Sequence, residues 1–205
     1  MDISACNRLD GEVIDLKKGK ATTNVRMTTA LGELSLVVTS SAVELLQLAV
    51  GDRVDAMFRE VDVMLMAGTG TVSTRNRFAG RILGIVKGGV TAEIVLDVGD
   101  GRRMVAVVAR TAAEEMGLEV GGNVTACVRE GDLLLVKGGA TSVRNRLAGT
   151  IMNLRPGTVT TELTIATGHG EIFALLARSV ADDMKLAVGD RVTALMRERD
   201  FLIQR

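Results

Sequence analysis

Hydrophobic and polar residues alternate along much of this chain with a period of two, which is typical of half-buried β-strands. Residues 8–16 predict a first strand, in which Leu9, Val13 and Ile14 are apolar and Gly11 is expected to form a β-bulge. In the middle of the chain, this alternation and one change to a helical pattern predict strands at 91–98, 104–108, 123–129 and 133–136, a hairpin turn at 97–101 and a helix at 111–118.

Three sets of residues recur in the same order, which predicts three copies of one structural unit. The segment 4–11 (SACNRLDG) returns as 73–80 (STRNRFAG) and 142–149 (SVRNRLAG). A helix end of the form L-x-V-G and a closing Arg-Glu-x-Asp follow it each time. We place the units at 1–69, 70–138 and 139–205. The order β-β-β-α-β-β in each unit favours an all-β protein with short helices, built from three tandem OB-like five-stranded Greek-key barrels.

Composition excludes several functions. The 205 residues carry 25 Lys+Arg against 25 Asp+Glu, with no Trp or Tyr and four Phe, so the charged groove and aromatic platforms of nucleic-acid binders are missing. Cys6, Cys127 and the single His169 are too few for a His/Cys metal site and suggest a reducing compartment. His169 belongs to a hairpin turn at 167–170, which argues against an enzyme.

No apolar run is long enough to span a membrane or act as a signal peptide, so we expect a cytoplasmic protein.

The ordered set S-x-R-N, then Gly, then L-x-V-G-D, then A-x-x-[KR]-x-x-D-V resembles the molybdenum-pterin-binding (Mop) domain of molbindins, which is related to the TOBE domain. The resemblance covers the whole chain as three tandem copies. It implies a cytoplasmic protein that binds molybdate or tungstate at domain interfaces. It also implies particles of six domains, which a chain with three copies would complete as a homodimer.

A tetrahedral dianion offers only hydrogen-bond acceptors, so its site must converge donors. The resemblance places such donors first in the opening motif. Two readings stay open there: either these side chains hold the oxyanion, or the Asn residues cap the strand entry and the Arg residues are solvated. Cys6 replaces the arginine in the first repeat, which predicts an altered or lost site. The candidates are Ser4, Asn7, Ser73, Arg75, Asn76, Ser142, Arg144 and Asn145.

A second group of donors stands near the end of each unit, at Arg59, Arg129 and Arg197. Each is followed by a glutamate, where the family usually has a small residue. Arginine can grip an oxyanion through two hydrogen bonds. The alternative is a surface Arg–Glu pair that contributes little energy, formed with Glu60, Glu130 and Glu198.

The third group precedes the helix, where the family pattern T-x-x-S supplies hydroxyls. The first repeat matches the threonine of this pattern with Thr39, followed by Ser40, but not its serine, whereas the others lack both and carry Arg110 and Arg178. Thr111 and Ser179 are the expected N-caps of those two helices. Because an interface site draws on two domains, complementary halves could assemble a complete site.

Two functions remain in competition. The first is oxyanion storage or buffering, since the chain has neither the G-x-x-x-x-G-K-[ST] motif of an ATPase nor a preceding helix-turn-helix. The second is an interaction or scaffold protein that kept the fold and lost or altered the ligand. The glutamates and the missing hydroxyls favour the second function modestly.

Overall fold

The computed structural model describes residues 3–5, 7–68, 70–143, 145–197 and 200. Three sheets of six, five and four strands make up most of it. The first repeat supplies β1–β5, which are Asn7–Lys18, Thr22–Thr29, Gly32–Thr39, Arg53–Phe58 and Val63–Met66. The second supplies β6–β10, which are Asn76–Lys87, Thr91–Asp97, Arg103–Ala109, Asn123–Val128 and Leu134–Lys137. The remaining strands β11–β15 are Ala140–Thr141, Asn145–Pro156, Thr160–Thr167, Gly170–Ala177 and Arg191–Met196.

One six-residue helix follows the third long strand of each repeat: α1 Ser40–Leu45, α2 Arg110–Glu115 and α3 Arg178–Asp183. A 3₁₀ turn covers Glu60–Asp62. The predicted all-β class with short helices is therefore confirmed, and each sheet curls as part of a barrel. None of the helices in the described ranges is long and apolar enough to cross a bilayer.

The first two repeats exchange their last strands. The six-stranded sheet runs β11-β10-β4-β1-β2-β3, so β10 of the second repeat pairs with β4 of the first. The five-stranded sheet runs β5-β9-β6-β7-β8, so β5 of the first repeat pairs with β9 of the second. Lys137 secures β10 by donating to Asp52 Oδ2 over 2.7 Å, which lowers the pKa of that carboxyl. The sheets thus cross the boundary between 1–69 and 70–138, and the repeat boundaries themselves stay a prediction.

Gly11 does not form the expected bulge. The register between β1 and β2 shifts between Val13 and Asp15, three residues further on. A Cβ at Gly11 would collide with the main-chain carbonyl oxygen of Thr28. Glycine is needed there because the two main chains approach closely, not because an extra residue is inserted.

The expected N-caps Thr111 and Ser179 are also wrong. The structure assigns the caps to Ala109 and Ala177, which offer no side-chain acceptor. The first helical N–H groups find main-chain partners instead, since Arg110 N donates to Val90 O over 2.8 Å. A strand end that satisfies the first donor removes the need for a hydroxyl cap.

The first two repeats share one hydrophobic core, because each sheet is completed by the other repeat. Val25 and Leu36 belong to the same buried cluster as Ile94 and Leu96. A separate small cluster around Ile151 forms the core of the third repeat. Cys127 is buried, which raises the pKa of its thiol. His169 is exposed in the hairpin between β13 and β14. Cys6 lies outside the described residues.

Candidate functional site

A cleft of about 550 Å³ lies where the sheet of the first repeat meets the second repeat. Strict alternation along β2 and β3 produces its floor, since Val25 and Leu36 point into the core while Arg26 and Ser35 point out. Arg26 and Ser35 are direct cross-strand partners. The lining residues are Lys17, Asn24, Arg26, Ser35, Val37, Arg75 and Glu130.

Hydrogen bonds on the floor leave one hydroxyl proton available. Asn24 Nδ2 donates to Ser35 Oγ over 2.9 Å, so the serine oxygen accepts and its own proton can be donated to a ligand. Arg26 is held by Asp15 and Glu33, each at 3.2 Å. The register shift after Val13 places Asp15 opposite Arg26, which is how the bulge shapes the cleft.

The second repeat is fixed to the cleft by a reciprocal contact that we term the Asn clasp. Ser35 N donates to Asn76 Oδ1 over 2.8 Å, and Asn76 Nδ2 donates to Ser35 O over 2.8 Å. The same contact joins Asn7 to the main chain of Val105, with both distances at 2.8 Å. The clasp therefore holds the edge strand of each repeat to the opening motif of the other, and it places Arg75 at the cleft.

The free donors of the cleft are cationic. Neither the Lys17 ammonium nor the Arg75 guanidinium has a hydrogen-bond or ion-pair partner among the described residues. Glu130 brings a carboxylate to the same cleft, and its Oε1 accepts the main-chain N–H of Arg75 at 2.9 Å. Three cationic side chains and one carboxylate thus line a space large enough for a small anion.

The pseudo-equivalent face of the second repeat lacks these donors. The positions that match Lys17, Asn24, Arg26 and Ser35 carry Val86, Glu93, Val95 and Val105. Helix α3 covers part of this face. Ser179 Oγ donates to Glu93 Oε2 over 2.8 Å, and Val180 packs on Val107. Only one of the two faces joined by the Asn clasp keeps a donor set for an anion.

The closing Arg-Glu-x-Asp segments converge on one another and not on the cleft. Arg59 contacts Asp62 through two hydrogen bonds of 2.9 Å, which raises the pKa of its guanidinium. Arg129 contacts Asp132 at 2.7 Å. Arg197 reaches both of these carboxylates, at 3.2 Å and 3.3 Å. We call this group the Arg–Asp cluster.

The alternative of Arg–Glu pairing is therefore wrong for the described residues, because each arginine pairs with the aspartate three positions later. The side chains of Asp62 and Asp132 are only 7% and 0% exposed and that of Arg197 is 14% exposed, so the contacts of Arg197 with these carboxylates are largely closed to water, whereas Arg59 and Arg129 remain partly exposed. Arg197 also contacts Asp200 at 2.8 Å. Glu198 lies outside the described residues.

The remaining candidates of the opening motif are scattered. Ser4 is half-buried, Ser73 is exposed and Ser142 is buried. Asn145 is half-buried, and Arg144 lies outside the described residues. The three serines thus do not share one environment. Asn7 and Asn76 do not cap the start of their own strands, which was the alternative; each binds the edge strand of the other repeat.

The candidates before the helices have local partners. Thr39 caps α1 by accepting from Ala42 N over 3.3 Å, and Ser40 Oγ donates to Gly19 O over 3.0 Å. Arg110 lies 3.8 Å from Glu114, and Arg178 lies 2.8 Å from Asp182. None of these residues lines the cleft.

Of the sequence candidates that the structure describes, Arg75 alone lines the cleft. Sequence reasoning missed Lys17, Asn24, Arg26 and Ser35 because it followed what the three repeats share. A signal was present in what they do not share: the positions of Arg26 and Ser35 are polar in the first repeat and apolar in the second. When one repeat has a polar residue at an outward-facing position and another repeat has valine there, that surface is specific to the first of them.

Comparison with known proteins gives consistent matches. A family model described as the TOBE domain matches residues 3–65, 72–134 and 141–196. The molybdenum-pterin-binding protein MopA of Rhodobacter capsulatus is 33% identical over 135 residues, which are 64% of this chain and 51% of MopA. The molybdenum transport protein ModE of Herbaspirillum seropedicae is 31% identical over 129 residues, 61% of this chain and 48% of ModE. The chain thus spans about half the length of these relatives.

The solved structures include a cytoplasmic molybdate-binding protein, ModG, crystallised with molybdate bound. It aligns with a TM-score of 0.63 and 33% identity, over 66% of this chain and 98% of ModG. The match extends over about two of the three repeats.

Proposed function

Since the chain belongs to the TOBE-domain family, with three tandem copies of the domain, we propose that it is a cytoplasmic binding protein for molybdate or tungstate. Its role is to store or buffer the oxyanion, and it is not an enzyme. The ligand lies in the cleft between the first and second repeats. We also propose that the protein is a homodimer, so that six repeats make up the particle.

The observation that carries the proposal is a pair of cations, Lys17 and Arg75, which have no side-chain partner among the described residues and lie beside the Ser35 hydroxyl, whose oxygen accepts from Asn24. Burying a dianion without partners is very costly, and charge-assisted hydrogen bonds offset most of that cost. Arg75 comes from one repeat and Lys17 and Ser35 from the other, so the ligand would bridge the two.

The sequence candidates then have two different roles, ligand binding and structure. Arg75 binds the oxyanion, whereas Arg59, Arg129 and Arg197 belong to the Arg–Asp cluster, in which each pairs with a carboxylate and Arg197 joins the third repeat to the other two. Asn7 and Asn76 position the two repeats. Thr39 and Ser40 shape the start of α1.

A scaffold function is the second candidate, and two observations favour it. Glu130 places a carboxylate in the cleft, and α3 covers the matching face of the second repeat. In that case the protein would keep the family's architecture without its ligand.

Calorimetric titration with molybdate, tungstate and sulfate separates the two functions. We expect heat from the first two anions. Arg75→Ala should weaken binding by roughly 10- to 100-fold, because it removes a charged hydrogen bond worth about 1.5–3 kcal/mol.

Arg77→Ala is the matched control, since Arg77 is exposed two residues further along β6 and does not line the cleft. It should bind like the unmodified protein. Absence of heat with all three anions would favour the scaffold function, and unchanged binding by Arg75→Ala would place the ligand elsewhere.

A further inference from the structure

Glu130 is the acidic residue of the cleft, and two hydrogen bonds hold it there. Its main-chain carbonyl accepts from Val37 N on the edge strand β3 over 2.9 Å, and its Oε1 accepts from Arg75 N over 2.9 Å. Glu60, which matches Glu130 in the first repeat, is only 2% exposed, whereas Glu130 is half-buried and lines the cleft. A glutamate held between two repeats in this way stays beside any ligand that the cleft binds.

One oxygen of this carboxylate is unused. Glu130 Oε2 accepts no hydrogen bond from another described residue, and no described lysine or arginine forms an ion pair with Glu130. The cations Lys17 and Arg75 line the same cleft, and they also lack a side-chain partner in the described part of the chain. The unpaired carboxylate oxygen and the two unpaired cations therefore border one space of about 550 Å³.

The chemistry of a tetrahedral oxyanion makes this oxygen costly. A fully deprotonated oxyanion and an ionised carboxylate are both negative and both only accept hydrogen bonds, so their contact is repulsive. The third cation of the cleft does not offset this repulsion, since Arg26 is already paired with Asp15 and Glu33. A dianion bound by two cations beside Glu130 leaves one negative charge in excess.

One added proton removes both difficulties. It cancels the excess charge, and it converts the repulsive contact into an O–H···O⁻ hydrogen bond, which is strong because one partner is ionised. Two acidic groups that lie close together in a protein share a proton for the same reason.

We propose that the cleft binds its oxyanion together with one proton, which lies between Glu130 Oε2 and an oxygen of the ligand. This inference rests on the proposed oxyanion site and gives it a selectivity. The solvent supplies the proton when molybdate or tungstate binds, whereas hydrogenphosphate and hydrogenarsenate bring one with them. Sulfate is the weakest base among these anions and holds a proton least well, so Glu130 is the residue that rejects sulfate.

Proton counting tests the proposal on the unmodified protein. Calorimetric titration with molybdate at neutral pH, in two buffers that differ in ionisation enthalpy, gives the number of protons taken up. We expect about one proton per bound molybdate, because the complex holds one proton more than the free protein and free molybdate. The dissociation constant should then fall about tenfold for each unit by which the pH is lowered, as long as free Glu130 and free molybdate are ionised. Phosphate should bind under the same conditions, and sulfate should not.

Glu130→Gln identifies the group that holds the proton. Glutamine keeps an oxygen for Arg75 N, and its amide N–H donates to the oxyanion without an added proton. Proton uptake should disappear, and sulfate should bind this variant at least about tenfold more tightly than it binds the unmodified protein.

Glu119→Gln is the matched control, because it removes the same charge from an exposed loop of the same repeat outside the cleft. It should keep both the proton uptake and the rejection of sulfate.

The outcomes separate this inference from the proposed function. Molybdate binding without proton uptake, or proton uptake that Glu130→Gln retains, overturns the inference and leaves the proposed function standing. Equal binding of sulfate and phosphate by the unmodified protein also contradicts the inference. If molybdate gives no heat but phosphate binds in preference to sulfate and Glu130→Gln loses that preference, the role of Glu130 is supported and the proposed function fails. Absence of heat with every anion overturns both.

Discussion

The side chains of Asn7 and Asn76 hydrogen-bond the edge strand of the other repeat, as a neighbouring strand in a sheet would. An amide group presents one donor and one acceptor, as a peptide group does, so it can satisfy one N–H and one C=O of an edge strand. Asn76 is 1% exposed and makes both bonds to Ser35 at 2.8 Å. The clasp thus couples the stability of the edge strand to the position of Arg75.

Asn76→Asp tests this role with the smallest change of shape. The carboxylate cannot donate to Ser35 O and would be buried, so we expect a loss of about 2–4 kcal/mol in the free energy of unfolding. Urea denaturation followed by circular dichroism measures it. Asn123→Asp is the matched control, because Asn123 is exposed at the start of β9 and should change stability by less than about 0.5 kcal/mol. Equal effects of the two substitutions would contradict the clasp.

The candidate site could be predicted from the sequence only in part. Arg75 stands in a motif that all three repeats share, so a repeat alignment finds it. Asn24 and Ser35 lie on strands in which apolar and polar residues alternate. From the sequence, their outward-facing positions are indistinguishable from ordinary solvent-exposed ones. Whether such a face meets water or another repeat depends on the packing of whole repeats, and strand periodicity does not contain that information.

At the scale of elements, strand positions followed from the alternation, but strand partners did not. A period of two tells which side of a strand is buried and leaves open which neighbour it pairs with. Strands β5 and β10 have the expected composition, yet each completes the sheet of the other repeat. The helix caps and the bulge were missed for a related reason, since contacts distant in sequence decide both.

Strand exchange makes a cut between the first two repeats harmless to their association. A protease site inserted between Gly70 and Thr71, both exposed, would give two fragments after cleavage. The fragments should elute together in gel filtration and separate only in denaturant, because each contains one strand of the other's sheet. The uncut protein with the same insertion is the control. Fragments that separate in native buffer would contradict the exchange.

At the scale of the whole molecule, the Arg–Asp cluster is where all three repeats meet. Arg197 of the third repeat contacts Asp62 of the first and Asp132 of the second, and its side chain is only 14% exposed. Removing one partner from a buried ion pair usually costs more than the intact pair contributes, because the remaining charge stays buried.

Arg197→Ala should therefore lower the free energy of unfolding by about 2–4 kcal/mol. Amide hydrogen exchange should show the largest loss of protection in β12 and β15 of the third repeat, since the first two repeats stay linked by their exchanged strands. Arg191→Ala is the matched control, because Arg191 is an exposed arginine at the start of β15, the strand that Arg197 directly follows. If protection falls equally in all three sheets, the cluster does not serve mainly to attach the third repeat.

The contrast between the cleft of the first repeat and the covered face of the second has a consequence for how such proteins diverge. In a ring built from identical short polypeptides, any substitution is copied into every junction at once, and a change that ruins one junction ruins all. Covalent triplication removes that constraint. One face can keep a cleft lined by charged residues while the matching face of another repeat is covered by packing, so the repeats of one chain can diverge independently.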